Sequence, residues 1–595
     1  MEQPPGKDVL TLLAAKGRYI AVAVCTAAYL HAVWMSWLKW GDLVVDAGVE
    51  YELPRKLADG QLLYRDVDYW FGPVPVYFNA LLYRVFGVHA SVLAAAGLTI
   101  AALMCVLLYR LARCFAGRLC ACCVTVSFIY ICGFAHLVPN ASFNFVIPYT
   151  FAATYGMLFA LASLFFLIRH VQKGAKAKFW LSVLFLTLAA LSKIEILFAA
   201  GMLHLAFLIA YWRLGRLSVR AHFPGYGAVF AVVILTYVLF LVNAPGMFAE
   251  NPWYSPNPAA RMYMRSVMGL ADWRMALWCC VRYSFLGLAG VLAAAWVLAA
   301  VRGRWSRNAW VAGGALAAAF LAGALIYQFY VPKNYAFLVL PELFAALLVF
   351  LVWRWFRAPE QRAGALPTIL LLVFALAVLA RIPLRTWAWH YGFYLLPVPL
   401  AAFGVLWFKA FANWLGRSGP VFSAAGVGLF LALSLGHYRI STRNYALHTV
   451  SLETPRGSLC LLGPVSEKLP YGAAYAECVL FLSRLPPETR VLVVPLGVGL
   501  VFFSGLDSPY GETGYLPTVP EERYNCRLLP ALKARPPDVV VRVRVDAREF
   551  GSQGFGVDYA VEMWEWIAEN YEPVKTIGQG DSIVVLRRRG AKPQY

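Results

Sequence analysis

Apolar runs of roughly 18–22 residues recur along the first three quarters of the chain, separated by short polar turns. A bilayer core needs ~20 residues of helix to cross it, so each run predicts a membrane span. Thirteen are read, near 18–38, 89–109, 116–136, 148–168, 178–192, 194–212, 226–246, 284–301, 309–330, 335–353, 367–383, 391–408 and 421–438. Beyond about residue 440 the long runs stop. Arg490–Pro495 and Asp538–Val545 are β-branched and bounded by proline, which predicts strands. Tyr559–Tyr571 has apolar residues at helical spacing, and Ser582–Leu586 predicts a closing strand. The expected architecture is an all-α polytopic membrane domain over residues 1–440 and a soluble α/β accessory domain over 441–595.

The pattern breaks between the first two spans. Gly41 to Tyr77 carries Asp42, Asp46, Glu50, Glu52, Asp59, Asp66 and Asp68, in a chain only 14% charged. Two amphipathic segments, Val49–Asp59 and Val76–Phe86, predict helices lying along the membrane surface. Asp46 falls just after span one and just before the first of these helices, which fixes it at the water boundary. Capping that helix is its competing use.

Composition rules out a soluble globular protein: 61% of residues are hydrophobic and the mean hydropathy is +0.63. The first run has a basic flank (Lys7, Lys16, Arg18) but no small-x-small site before the loop, so it reads as an uncleaved helix. The net charge of +21 suggests nucleic acid until the bases are placed. With the N-terminus inside, Arg110, Arg113, Arg118, Arg169, Lys173, Arg213, Arg216, Arg302, Arg354 and Lys409 all fall in cytoplasmic turns. The charge is therefore topological, and a nucleic-acid partner is not expected. The acidic loop and the C-terminal domain then lie outside. Cys120-x-Cys122-Cys123 mimics a metal knuckle but sits in an apolar run without histidine, where cysteine packs as a small hydrophobe.

Other polar groups fall on the same outer side. His136, Asn140 and Asn144 suit hydrogen bonding to a sugar, against a plain role in satisfying backbone. Lys193 and Glu195 form a whole turn between two spans, and ionisable groups there are functional candidates. A self-contained Lys–Glu pair is the alternative. Arg381 and Arg385, with His390 and Tyr391, break the positive-inside trend and suit a bound anion, against simple snorkelling.

Together these pieces resemble a family. Asp46-Ala-Gly48-Val-Glu50-Tyr51, Ala58-Asp-Gly60, Leu63-Tyr64-Arg65-Asp66, Gly72-Pro73-Val-Pro-Val-Tyr77 and Phe86-Gly87 resemble the first exoplasmic loop of GT-C glycosyltransferases that use polyprenyl-phosphate sugars. Protein O-mannosyltransferases and the lipid A aminoarabinose transferase belong to that group. Leu191-Ser-Lys193 and His390-Tyr391-Gly392-Phe393 with Pro397 are similar to further landmarks. The likeness covers most of residues 1–440 in organisation, with specific matches confined to these segments.

The resemblance implies an inverting transfer of sugar from a polyprenyl-phosphate donor to a hydroxyl on a lipid, glycan or protein acceptor. It implies a bacterial inner-membrane enzyme, N-terminus cytoplasmic and C-terminal domain periplasmic, with no cofactor and no metal. Asp46 takes the base position, with Glu50 as a second carboxylate one turn on. Lys193, Arg381, Arg385 and His390 are implied donor-phosphate ligands. Arg65, Asp66, Asp68, Asn140, Asn144, Glu195 and Tyr391 are implied substrate contacts. The chain departs from protein mannosyltransferases in having Ala47 where they carry Glu after the aspartate. Asp66-Val-Asp68 formally matches a metal-binding Asp-x-Asp, a spacing that so acidic a loop produces by chance. The rival class is a lipid-linked sugar transporter or flippase, which would place acids at mid-membrane in repeated halves. Glu342 is the one clear acid read within a span, and no internal repeat is evident.

Overall fold

The computed structural model describes residues 6–245, 257–267, 309–330, 339–380, 391–416, 419–464, 471–580 and 582–590, with a few positions between 274 and 285. The N-terminal part is helical: α1 (Gly6–Ser36), α2 (Ala47–Ala58), α3 (Pro73–Phe86), α4 (Ala90–Phe115), α5 (Arg118–Phe128), α6 (Phe151–Lys173), α7 (Lys176–Ala190), α8 (Ile194–Arg213) and α9 (Val219–Asn243). Helices Ala309–Tyr330, Val339–Arg357, Arg362–Leu379, Pro397–Val405 and Gly419–Ala446 follow.

Among the described residues, seven helices are long and apolar enough to cross a membrane. Six of the thirteen runs are not among these seven: those at 309–330 and 335–353 do fold as the helices Ala309–Tyr330 and Val339–Arg357, and three others have local causes. The run at 178–192 folds as α7, whose 15 residues fall short of a bilayer's thickness. The run at 116–136 ends in a π turn at Ile129–Gly133, and the run at 391–408 becomes helical only at Pro397. The run at 284–301 lies, apart from Phe285, outside the described residues. Glu342 stands in the first turn of Val339–Arg357, away from mid-span.

α6 is apolar on every side, and 89% of its most hydrophobic window is buried, as expected of a helix surrounded by others. The two amphipathic segments are helices, but only one has the expected setting. α3 exposes Phe78, Leu81, Val85 and Phe86 as an interfacial helix should. α2 is instead buried from Ala47 to Leu57 apart from Val49, enclosed between the helices and the C-terminal domain.

That domain begins with an antiparallel hairpin, β1 (His448–Thr454) and β2 (Gly457–Leu462). A four-stranded sheet follows in the order β3-β4-β6-β5, from β3 (Val491–Val494), β4 (Val539–Val543), β5 (Tyr571–Ile577) and β6 (Ile583–Arg588). β3 and β4 are parallel; β4–β6 and β6–β5 are antiparallel. Residues alternate between faces along β4. Val539, Val541 and Val543 join the core that runs on from the membrane helices, while Val540 joins a second core on the far side. The membrane and C-terminal parts thus share one continuous hydrophobic core.

Gly419–Ala446, at 28 residues, is long enough to put its ends on opposite sides of the membrane. Reporters fused after Leu415 and after Leu447 are expected to give cytoplasmic and external signals respectively. The same compartment for both would show that this helix does not cross.

Candidate functional site

The site is built on the turn that leads from α1 into α2. The Asp42 carboxylate accepts the amides of Val44 (3.1 Å) and Val45 (3.0 Å), and the Gly48 amide donates to the Asp42 carbonyl (3.1 Å). Asp46 lies inside this turn at the N-cap position, with φ −98° and ψ −51°, and its side chain makes no capping hydrogen bond. Its carbonyl, not its carboxylate, receives the Val49 and Glu50 amides.

Glu50 lies one turn further and points inward. Its Oε2 accepts the amide of Phe151, the first residue of α6, at 2.8 Å. Burial pushes this carboxyl up to about 8, against the lowering effect of the Phe151 amide and the Thr150 hydroxyl. The charge of Asp46 raises it further and that of Lys193 lowers it, so both groups lie within electrostatic reach of Glu50.

Lys193 arrives from the turn between α7 and α8, held by the first loop itself. The Gly72 amide donates to Ser192 O (2.9 Å) and Val74 N to Leu191 O (3.1 Å). A Cβ at position 72 would lie 2.2 Å from Leu191 O, so this strap requires glycine. The segments Gly72-Pro73 and Leu191-Ser192-Lys193, distant in sequence, are therefore one structural unit. The buried Lys193 ammonium lies 4.1 Å from the Phe71 ring centre, 5.5 Å from Tyr149 and 5.7 Å from Tyr394. It pairs with Glu195 Oε2 at 3.1 Å, and the Tyr394 hydroxyl donates to the same oxygen at 3.1 Å. Tyr391 meets Tyr149 edge-on at 4.8 Å. Lys193 is also the N-cap residue of α8, where unsatisfied amides give a partial positive charge.

Of the residues expected from sequence, the fold brings Asp46, Glu50, Lys193, Glu195 and Tyr391 together. Others have partners elsewhere. Arg65 grips its neighbour Asp66 at 2.8 and 2.7 Å, which holds that carboxyl below the usual range. Asp68 takes Arg523 of the C-terminal domain at 2.7 Å. Asn144 is buried and its Oδ1 accepts the Val146 and Ile147 amides, the plain structural use. Asn140 is exposed on a pocket of about 130 Å³ shared with Asp42, His448, Arg544 and Asp546. Arg381, Arg385 and His390 lie outside the described residues. Sequence reading missed Phe71, Tyr149 and Tyr394, although Phe71 and Tyr394 directly adjoin the Gly72-Pro73 and Tyr391-Gly392-Phe393 segments.

No protein-family model matches the sequence, and no curated protein matches it. Among solved structures, the chain is similar to ArnT from Cupriavidus metallidurans bound to undecaprenyl phosphate. Identity is 14%, coverage is 97% of this chain and 99% of that one, and the TM-score is 0.52. The archaeal oligosaccharyltransferase AglB from Archaeoglobus fulgidus, in complex with an inhibitory peptide and a dolichol-phosphate, is a more distant likeness. It has 14% identity over 95% of this chain and 74% of that one, with a TM-score of 0.46. The chain has a GT-C fold, with the seven candidate spans and mixed C-terminal region described above.

Glu50 gives a test of this geometry. Its folded value lies above the ordinary 4.5, so folding retains a proton that the unfolded chain has lost. The stability from this group is full below about pH 4.5 and is lost as pH climbs towards 8. Glu50→Gln removes that titration. The unfolding temperature of the variant minus that of wild type should therefore rise from about pH 5 to pH 8. A difference that stays constant across this window would show that Glu50 is ionised throughout it.

Proposed function

We propose that this protein is an inverting glycosyltransferase, moving a sugar from a polyprenyl-phosphate donor to an acceptor hydroxyl at the outer membrane face. One observation carries the reading: the loop acid Asp46 and the buried lysine Lys193, which caps the α8 N-terminus, both act on the same buried carboxyl group, Glu50. The shared fold with a protein crystallised with undecaprenyl phosphate supports the donor class. The sugar and the acceptor are left open.

In this mechanism the Asp46 carboxylate accepts the proton of the acceptor hydroxyl as the hydroxyl oxygen attacks the anomeric carbon. The bond from that carbon to the phosphate oxygen breaks on the opposite face, and the electron pair leaves with the lipid phosphate. Lys193 and the α8 N-terminus stabilise the charge gathering on that phosphate. Glu195, the resident partner of Lys193, gives way to the incoming anion. Glu50 stays protonated near neutral pH, so it does not compete with the phosphate for the lysine. Its hold on α6 keeps the loop in register.

Asparagine at position 46 keeps the shape of the side chain but takes no proton. Asp46→Asn should cut turnover by roughly 10²–10⁴ with expression and donor binding unchanged. Asp59→Asn is the control: that carboxylate is half-exposed and pairs with Arg55 at 2.6 Å, so its loss should be mild. Full activity in Asp46→Asn would move the base to another loop acid. Lys193→Ala should weaken undecaprenyl-phosphate binding by about 1.5–3 kcal/mol, the worth of a charge-assisted contact. Unchanged affinity with lowered stability would make Lys193–Glu195 a purely structural pair.

A further inference from the structure

We infer that the C-terminal domain is part of the catalytic apparatus, because its Val498–Ser504 helix sets the position of Asp46 through a backbone contact at Gly499. The inference rests on the glycosyl-transfer reading and adds a role for a domain that the reading does not use.

The contact is unusually close. A Cβ at Gly499 would lie 2.3 Å from Leu43 O and 2.8 Å from the Gly48 Cα; one at Gly48 would lie 2.7 Å from the Gly499 amide nitrogen. All three distances are shorter than a side chain tolerates, so only paired glycines let these backbones touch. Leu43 and Gly48 bracket Asp46 on either side. Gly499 therefore presses on both arms of the turn that carries the proposed base, while Glu50 ties the following turn of helix to α6.

Further contacts fix the same surfaces. Tyr51 stacks on Phe502 (5.4 Å, 22°) and meets Phe503 edge-on (5.2 Å, 81°). The Lys56 ammonium, fully buried on α2, donates to the Tyr510 carbonyl, and Arg55 pairs with Asp507 at 2.9 Å. Arg523 clamps Asp68 (2.7 Å) together with Glu512 (3.1 Å). A domain that merely covered the membrane core would not need backbone contact at the one turn holding Asp46. Catalytic geometry is sensitive at this scale, since a shift of ~1 Å can cost on the order of 100-fold in rate. Gly499 is accordingly a positioning residue.

The test uses the full-length protein and separates turnover from folding. Gly499→Ala should lower kcat by roughly 10- to 100-fold. Undecaprenyl-phosphate affinity should stay within about twofold and the pH profile of turnover near wild type, because the base and the phosphate site are unaltered. The unfolding temperature should fall, since the added Cβ must push backbone aside, so kcat is taken per folded molecule. Gly201→Ala, where an added Cβ meets nothing within 4 Å, should behave as wild type. Arg523→Gln loosens the same interface without a clash and should lower kcat in the same way, with recovery in Arg523→Lys. If Gly499→Ala does not fold, the Arg523 pair decides by the same criteria. A folded variant with wild-type kcat overturns the inference, as does a fall in activity that only tracks the folded fraction. Loss of activity in Asp46→Asn alongside a fully active Gly499→Ala would remove this inference and leave the transferase reading standing.

Discussion

The structure depends on the burial of an acidic loop. Taking a carboxylate out of water costs several kcal/mol unless a donor meets it, so each buried or partly buried acid of the first loop dictates a neighbour. Asp42 takes two amides of its own turn, and Glu50 takes the first amide of α6. Glu52 is held by both ends of the Arg55 guanidinium (2.8 and 2.6 Å), and Asp68 by Arg523. Three of those donor residues, Val44, Val45 and Arg55, lie on the loop, one on a membrane helix and one on the C-terminal domain. Satisfying the loop thus fixes the relation of all three parts of the molecule, with Asp46 where they meet.

This explains which features were legible in sequence. Membrane helices announce themselves by length and hydrophobicity, properties of a single segment. The burial of α2 is not such a property: Glu50, Glu52, Arg55 and Lys56 look like a solvated face until Phe151 and Tyr510, far along the chain, supply partners. The same holds for Asp66 and Asp68, which resemble a ligand pair in sequence and find arginines in the fold. The β1–β2 hairpin was missed because its first strand follows the last long helix almost without a break.

Within the site, charge was readable and shape was not. Asp46, Glu50 and Lys193 stood out because charged residues are scarce and these three fall beside spans. Aromatic residues make up 15% of the chain, so Phe71, Tyr149 and Tyr394 carried no signal of their own. What selects them is the strap between Gly72 and Ser192, a hydrogen bond of 2.9 Å that brings the Phe71 ring over the lysine.

The strap also gives the site its electrical layout. α6 and α8 both present their N-termini here, and each is already matched by a carboxyl group: Glu50 at α6 and Glu195 in the first turn of α8. The two differ in kind. Glu50 is bound to backbone, and burial favours its protonated form, so displacing it would expose the α6 amide. Glu195 is held through side chains, the Lys193 ammonium and the Tyr394 hydroxyl, both of which can turn to another anion without unmaking a helix. On the proposed reading this asymmetry directs the donor. A phosphate exchanges with Glu195 at α8 and not with Glu50 at α6, so the leaving group and the base are kept on separate elements.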